Sequence, residues 1–103
     1  MKKIFFLWMT LGWLSAIYAQ WIQQNSGTSH YLNDVYCITS DTVIVVGTAG
    51  TILRTTNGGD QWNVIPSPTN ERLTCIKFAD SQTGYITGWY GTLLKTSDGG
   101  QTW

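Results

Sequence analysis

The chain has 103 residues, of which 43% are hydrophobic and 12% charged, with six basic and six acidic side chains. That composition excludes a disordered chain, and the absence of a basic patch removes any electrostatic reason to bind nucleic acid or an anionic membrane. Beyond residue 19, four basic residues (Arg54, Arg72, Lys77, Lys95) face six acidic ones (Asp34, Asp41, Asp60, Glu71, Asp80, Asp98), a balance of −2.

Residues 1–19, MKKIFFLWMTLGWLSAIYA, read as a secretory signal peptide: Lys2 and Lys3 give a positive start, Ile4 to Tyr18 an apolar run, and Ala19 a small residue at the cleavage point. The run is about 15 residues, short of the roughly 20 a membrane-spanning helix needs. The expected destination is outside the cytoplasm (periplasmic, cell-surface or secreted), with no stable membrane span once the leader is removed. Trp8 and Trp13 belong to the leader and carry no weight in the fold.

Residues 20–103 alternate short strand-forming runs with clusters of Gly, Asn, Asp and Ser, and no segment shows a 3.6-residue apolar period over a helical length. An orphan outer strand is expected at 21–25 (WIQQN). A loop, SGTSHYLND, follows, in which His30 reads as surface decoration rather than a ligand or base. First strands are expected at VYCIT and LTCIKF, second at VIVVG and GYITG, third at TILRT and TLLKT, and a fourth opening with WNVI. The glycine-containing GTAGT between the second and third strands is a turn, with no phosphate-binding context. Val43 to Val46 and Leu73 to Phe78 are apolar on both faces, the pattern of sheets covered on both sides.

The strand series repeats. Trp21, Trp62 and Trp103 stand 41 residues apart, and Gly47 and Gly88, Gly50 and Gly91, Leu53 and Leu94, Thr55 and Thr96 keep the same offset. Cys37 and Cys75 fall 38 apart, which predicts matching first-strand positions with a three-residue compensation in the ADSQTG loop. Four strands in a period of about 40 residues make the blade of a β-propeller. The expected domain is therefore a partial all-β propeller: the orphan strand 21–25, a first blade at 32–66 and an incomplete second blade at 73–103. A closed ring needs at least about four blades, so the remaining blades are expected from a longer chain.

Thr55-Thr-Asn57-Gly-Gly59-Asp-Gln-Trp62 and Thr96-Ser-Asp98-Gly-Gly100-Gln-Thr-Trp103 resemble the Asp-box, or BNR, repeat, whose pattern is Ser or Thr, x, Asp, x, Gly, x, Thr, Trp. The second copy matches in full, and the first departs at Asn57 and Gln61. The wider frame, VGTAGTILRTTNGG, is similar to propellers grouped with the photosystem II assembly and stability factor. The resemblance covers residues 21–103 and implies a binding or assembly scaffold.

The Asp-box residues Thr55, Asn57, Gly59, Trp62, Thr96, Asp98, Gly100 and Trp103 are structural on this reading, because tight turns select Asn, Asp and Gly for backbone reasons. No catalytic, metal or cofactor-binding residue is expected. A sialidase-like hydrolase is the enzymatic alternative; it would need an arginine cluster and carboxylates, against which the chain offers two arginines and one glutamate, Glu71, in the loop TNER. A spacer protein with a downstream sorting domain is the other alternative. Small buried thiols are the expected state of Cys37 and Cys75, and a disulfide would need their Cα atoms within about 7 Å. Trp89 and Tyr90 replace Thr48 and Ala49 of the first repeat, and they mark a rim that either binds a protein or glycan partner or packs against a further blade.

Overall fold

The computed structural model describes residues 22–103; the leader and Trp21 lie outside the described residues. Seven strands form two antiparallel meanders. The first sheet holds β1 (Leu32–Cys37), β2 (Val43–Gly47), β3 (Ile52–Thr55) and β4 (Asn63–Val64) in that order. The second holds β5 (Leu73–Phe78), β6 (Gly84–Gly88) and β7 (Leu93–Thr96). The class is all-β, with propeller-type sheets in an incomplete ring. Chain-adjacent strands pair because each is joined to the next by a connection too short to allow a crossover.

The 41-residue offset runs through both sheets without interruption. Leu32 pairs with Gly47 and Asp34 with Val46, around a bulge; Leu73 pairs with Gly88 and Cys75 with Thr87, around a bulge in the same place. The following hairpins also correspond, with Ile38 N–H donating to the Thr42 carbonyl and Ala79 N–H to the Thr83 carbonyl, both at 2.9 Å. This corrects the expected match of Cys37 with Cys75. Cys75 stands where the first sheet has Asp34, and Cys37 where the second has Phe78, so no loop compensation exists. The shared Cys-Ile dipeptide is a coincidence of local sequence, and the ladder register decides. Both thiols are free, but Cys37 is exposed and Cys75 half-buried, so the expectation of two buried thiols fails.

Two further differences concern the outer strands. Residues 22–25 pair in no ladder among the described residues, because the strand beside which they would lie is not part of either sheet. The fourth strand is short, and Trp62 precedes it; one more bond, from Ile65 N–H to the Ile52 carbonyl at 2.9 Å, extends the pairing.

The core is the seam between the sheets. Ile44, Val46 and Ile52 of the first sheet meet Leu73, Ile76 and Ile86 of the second, all at most 1% exposed, with Tyr36, Phe78 and Trp103 closing the margin. Burying such aliphatic side chains contributes about 1.5–3 kcal/mol each. The two faces of a strand differ: in β2, Ile44 and Val46 turn into the seam while Val43 and Val45 are only half-buried. Period-2 alternation assigns one face of each strand to each neighbouring sheet.

Candidate functional site

Two rims bound the sheets. One carries the two glycine turns whose sequences resemble the Asp-box repeat. Thr55 Oγ1 donates to Asn57 Oδ1 at 2.8 Å and accepts from Gly59 N–H at 3.0 Å, while Gln61 N–H donates to Asn57 Oδ1 at 3.0 Å. Thr96, Asp98, Gly100 and Thr102 repeat that pattern at 2.7, 3.0 and 3.0 Å. In the second box the Thr102 hydroxyl also donates to Asp98 Oδ2, a bond for which Gln61 offers no equivalent. That hydroxyl, then the Thr102 N–H, then the Thr96 hydroxyl hold the Asp98 carboxyl at about 2. Each turn is tied to the hairpin beside it, through Gly58 N–H to the Asp41 carbonyl and Gly99 N–H to the Gln82 carbonyl, both 3.0 Å.

All the polar atoms named for the boxes are thus engaged in holding turns. The second box also packs on the first sheet: a Cβ on Gly100 would run into Ile44 Cδ1, and Arg54 Nε donates to the Gly99 carbonyl at 3.3 Å. Trp103 lies edge-on to Phe78 with centroids 6.0 Å apart, and its indole N–H reaches the Gly100 carbonyl at 3.2 Å. Trp62 is half-buried in the corresponding place.

A polar clamp crosses the seam. The Asp34 carboxylate accepts from Ile76 N–H at 2.9 Å, and the Asn33 amide donates to the Leu73 carbonyl at 2.8 Å. The Ile76 N–H holds the Asp34 carboxyl below its ordinary value against the opposing pull of burial, helped by Val35 N–H and the Cys75 side chain.

The opposite rim carries the turns between second and third strands. In both, the second residue after the strand takes a left-handed backbone, Ala49 at φ 57° and Tyr90 at φ 56°. The turns are anchored to the preceding connection by Thr48 N–H to the Tyr31 carbonyl and Trp89 N–H to the Arg72 carbonyl, both 2.9 Å. Arg72 is thereby fixed beside Trp89, and its guanidinium lies over the indole, 4.7 Å from the centroid. Tyr90 meets Trp89 edge-on at 6.3 Å. Trp89 is 51% and Tyr90 86% exposed.

The structure therefore brings Trp89 and Tyr90 together, away from the Asp boxes, and adds Arg72. Arg72 could have been found by following the 41-residue offset: Tyr31, Thr48 and Ala49 become Arg72, Trp89 and Tyr90, three departures in one place. Of the groups considered for hydrolysis, Arg54 serves the seam and Glu71 offers its carbonyl to Gly50 N–H at 2.9 Å. Among the described residues, no three His, Cys, Asp or Glu side chains come together as metal ligands.

The family described as photosynthesis system II assembly factor YCF48 matches residues 14–103. The chain belongs to this family. The matched stretch begins inside the apolar run at the N-terminus. Among solved structures, one described as YCF48 bound to D1 peptide is 28% identical and superposes with a TM-score of 0.68 over 80% of this chain. The chain spans only 26% of that relative. No curated protein matches. The photosystem II assembly factor-like fold is thus supported by sequence family and by structure alike.

Proposed function

We propose that this YCF48-family chain is a protein-binding scaffold whose contact surface is the rim formed by Arg72, Trp89 and Tyr90. The observation that carries the reading is Tyr90: a bulky aromatic in a left-handed position costs about 1–2 kcal/mol, and at 86% exposure it recovers little of that by burial. Ala49 shows that the turn needs the conformation but not the ring. Residues held against local preference with no packing return are found where a partner supplies the contact.

A protein fits this surface better than a neutral glycan. Sugar rings stack on open aromatic faces, and one face of Trp89 already lies under the Arg72 guanidinium. That guanidinium keeps in-plane N–H donors for a carbonyl or carboxylate. The related YCF48 structure has a D1 peptide bound, which supports a peptide as the type of ligand. Anisotropy of a labelled D1 peptide titrated with the chain tests this. Saturable binding is expected, weakened at least about tenfold, or 1.4 kcal/mol, in Trp89→Ala/Tyr90→Ala with an unchanged circular dichroism spectrum. Equal affinities would remove the rim from the account, and no binding by either protein would remove the peptide.

Export through the N-terminal leader belongs to the same reading, resting on Lys2, Lys3, the apolar run and Ala19. Protein recovered outside the cytoplasm should begin at Gln20; recovery only from the cytoplasm, with Met1 or Lys2 first, would contradict it.

A further inference from the structure

The two glycine turns place different chemistry before their first glycine. In the first turn Asn57 precedes Gly58, and in the second Asp98 precedes Gly99. An asparagine followed by glycine is open to attack on its own side chain, because the glycine has no Cβ to screen the amide carbon from the next peptide nitrogen. Asn57–Gly58 is the one such pair in the chain. Both residues are exposed, so water and hydroxide reach them, whereas Thr55 beneath them is fully buried.

The closed turn engages every atom that the attack needs. Gly58 N–H, which must lose its proton to become a nucleophile, donates to the Asp41 carbonyl at 3.0 Å. Asn57 Oδ1 accepts from the Thr55 hydroxyl at 2.8 Å and from Gln61 N–H at 3.0 Å, which pins the side-chain amide. Asn57 N–H and Gly59 N–H both donate to Thr55 Oγ1, at 3.3 and 3.0 Å, and hold the backbone on either side of the Asn57–Gly58 peptide. Gln24 seals the outside, where its amide donates to the Gly58 carbonyl at 3.3 Å and its side chain covers Gly59. Thr55 Oγ1 is common to three of these bonds, so opening the turn frees the reacting atoms together.

We propose that Asn57–Gly58 is a deamidation site gated by its turn: closed, the turn is inert; opened, it converts irreversibly, and the aspartyl product alone can close it again. In the open turn Gly58 N–H gives its proton to hydroxide, and the nitrogen bonds to Asn57 Cγ. The Cγ–Nδ2 bond breaks, and the departing nitrogen takes a proton from water and leaves as ammonia. Water then opens the cyclic imide. Cleavage between the ring nitrogen and Cγ leaves aspartate; cleavage between that nitrogen and the backbone carbonyl carbon leaves isoaspartate, whose main chain runs through Cβ and Cγ.

The second turn shows that aspartate fits. Asp98 Oδ1 accepts from the Thr96 hydroxyl at 2.7 Å and from Thr102 N–H at 3.0 Å, the same bonds that Asn57 accepts, and Gly100 N–H reaches Thr96 Oγ1 at 3.0 Å. A carboxylate accepts such bonds more strongly than an amide. Isoaspartate lengthens the main chain by one carbon, so Gly58 N–H and Gly59 N–H cannot both keep their places on Asp41 and Thr55. At neutral pH the Asp98–Gly99 pair is closed to this route, because Asp98 is ionised and a carboxylate offers no leaving group. The rate of conversion at Asn57 therefore reports how often the first turn opens.

Protein expressed from all 103 codons, incubated at neutral pH either folded or in urea, tests the gate. Trypsin cuts after Arg54 and Arg72 and releases residues 55–72. Conversion appears as the mass gained when NH2 is replaced by OH, and fragment ions place it at Asn57 rather than Asn63 or Asn70. The folded protein is expected to convert at least about tenfold more slowly than the protein in urea, and Thr55→Val to remove most of that protection. Asn57→Asp, the aspartyl product made directly, should unfold at the same urea concentration as the wild type or a higher one. Equal rates folded and in urea would overturn the gate, and no conversion in urea would remove the site. A lower unfolding midpoint for Asn57→Asp would show that aspartate does not close the turn. None of these readouts uses the Trp89 rim, so the result stands apart from peptide binding.

Discussion

Asp98 and Asn57 occupy one position in two copies of the same turn and differ in a single proton-titrating group. Asp98 is held at about 2 chiefly by the Thr102 hydroxyl and then by the Thr102 N–H. A carboxylate with a depressed folded-state value stabilises fully above its ordinary value of 3.8, and the contribution fades as pH falls through about 2. The Thr102 amide resonance should titrate with a midpoint near 2 and become insensitive to pH in Asp98→Asn; a midpoint near 3.8 would mean that the turn does not recognise the charge. At Tyr90 the expected effect has the opposite character. Tyr90→Gly relieves a left-handed backbone at the cost of the edge contact with Trp89, so urea denaturation should show stability unchanged or raised by up to about 1 kcal/mol, while peptide binding falls. A loss of more than about 1 kcal/mol would make Tyr90 a packing residue. Turn residues such as these were legible in the sequence, because a glycine pair and an Asx residue encode a turn within eight positions.

At the scale of elements, the two turns between second and third strands share a backbone and differ in surroundings. Gly50 and Gly91 both lie in the left-handed region, at φ 69° and 74°. A Cβ on Gly50 would meet the Thr69 carbonyl oxygen, while one on Gly91 meets nothing within 4 Å. Gly91→Ala should therefore cost only the conformational penalty of about 1–2 kcal/mol, and Gly50→Ala distinctly more, measured by chemical denaturation. Equal costs would show that the connection at Thr69 yields freely. The second strands were readable from Val43–Gly47 and Gly84–Gly88, whose branched and aromatic residues sit between turn signals. Of the first strands, LTCIKF coincides with Leu73–Phe78, whereas VYCIT lies too late against Leu32–Cys37, because Cys37 and Cys75 offer a local match at the wrong offset. Ladder register depends on the partner strand, and a one-dimensional comparison weighs identical letters above equivalent positions.

At the scale of the molecule, the sheets cohere through the apolar seam and the polar clamp between β1 and β5. The period of 41 residues announced the stacking of like units, yet the clamp was invisible, since Asn33 and Asp34 find partners about 40 residues away on another sheet. Arg72 beside Trp89 was within reach, because the 41-residue offset turns Tyr31 into Arg72 where Thr48 turns into Trp89. Asp34→Ala leaves the Ile76 N–H without its charged acceptor and should cost about 1–3 kcal/mol at neutral pH. Its folded-state value lies below 3.8, so the stabilisation is complete above 3.8 and is lost on acidification below it. Wild type and Asp34→Ala should converge in stability as pH falls under that value; a constant difference would show that the carboxylate contributes by shape alone. Nuclear Overhauser spectroscopy read from the isoleucine methyl groups tests the stacking of one sheet on the next most directly. A cross-peak between the Ile44 δ-methyl and the Gly100 α-protons is predicted, accompanied by one between the Ile76 and Ile44 methyl groups; complete cross-strand networks within each sheet with neither of these peaks would mean that the two units fold but do not stack.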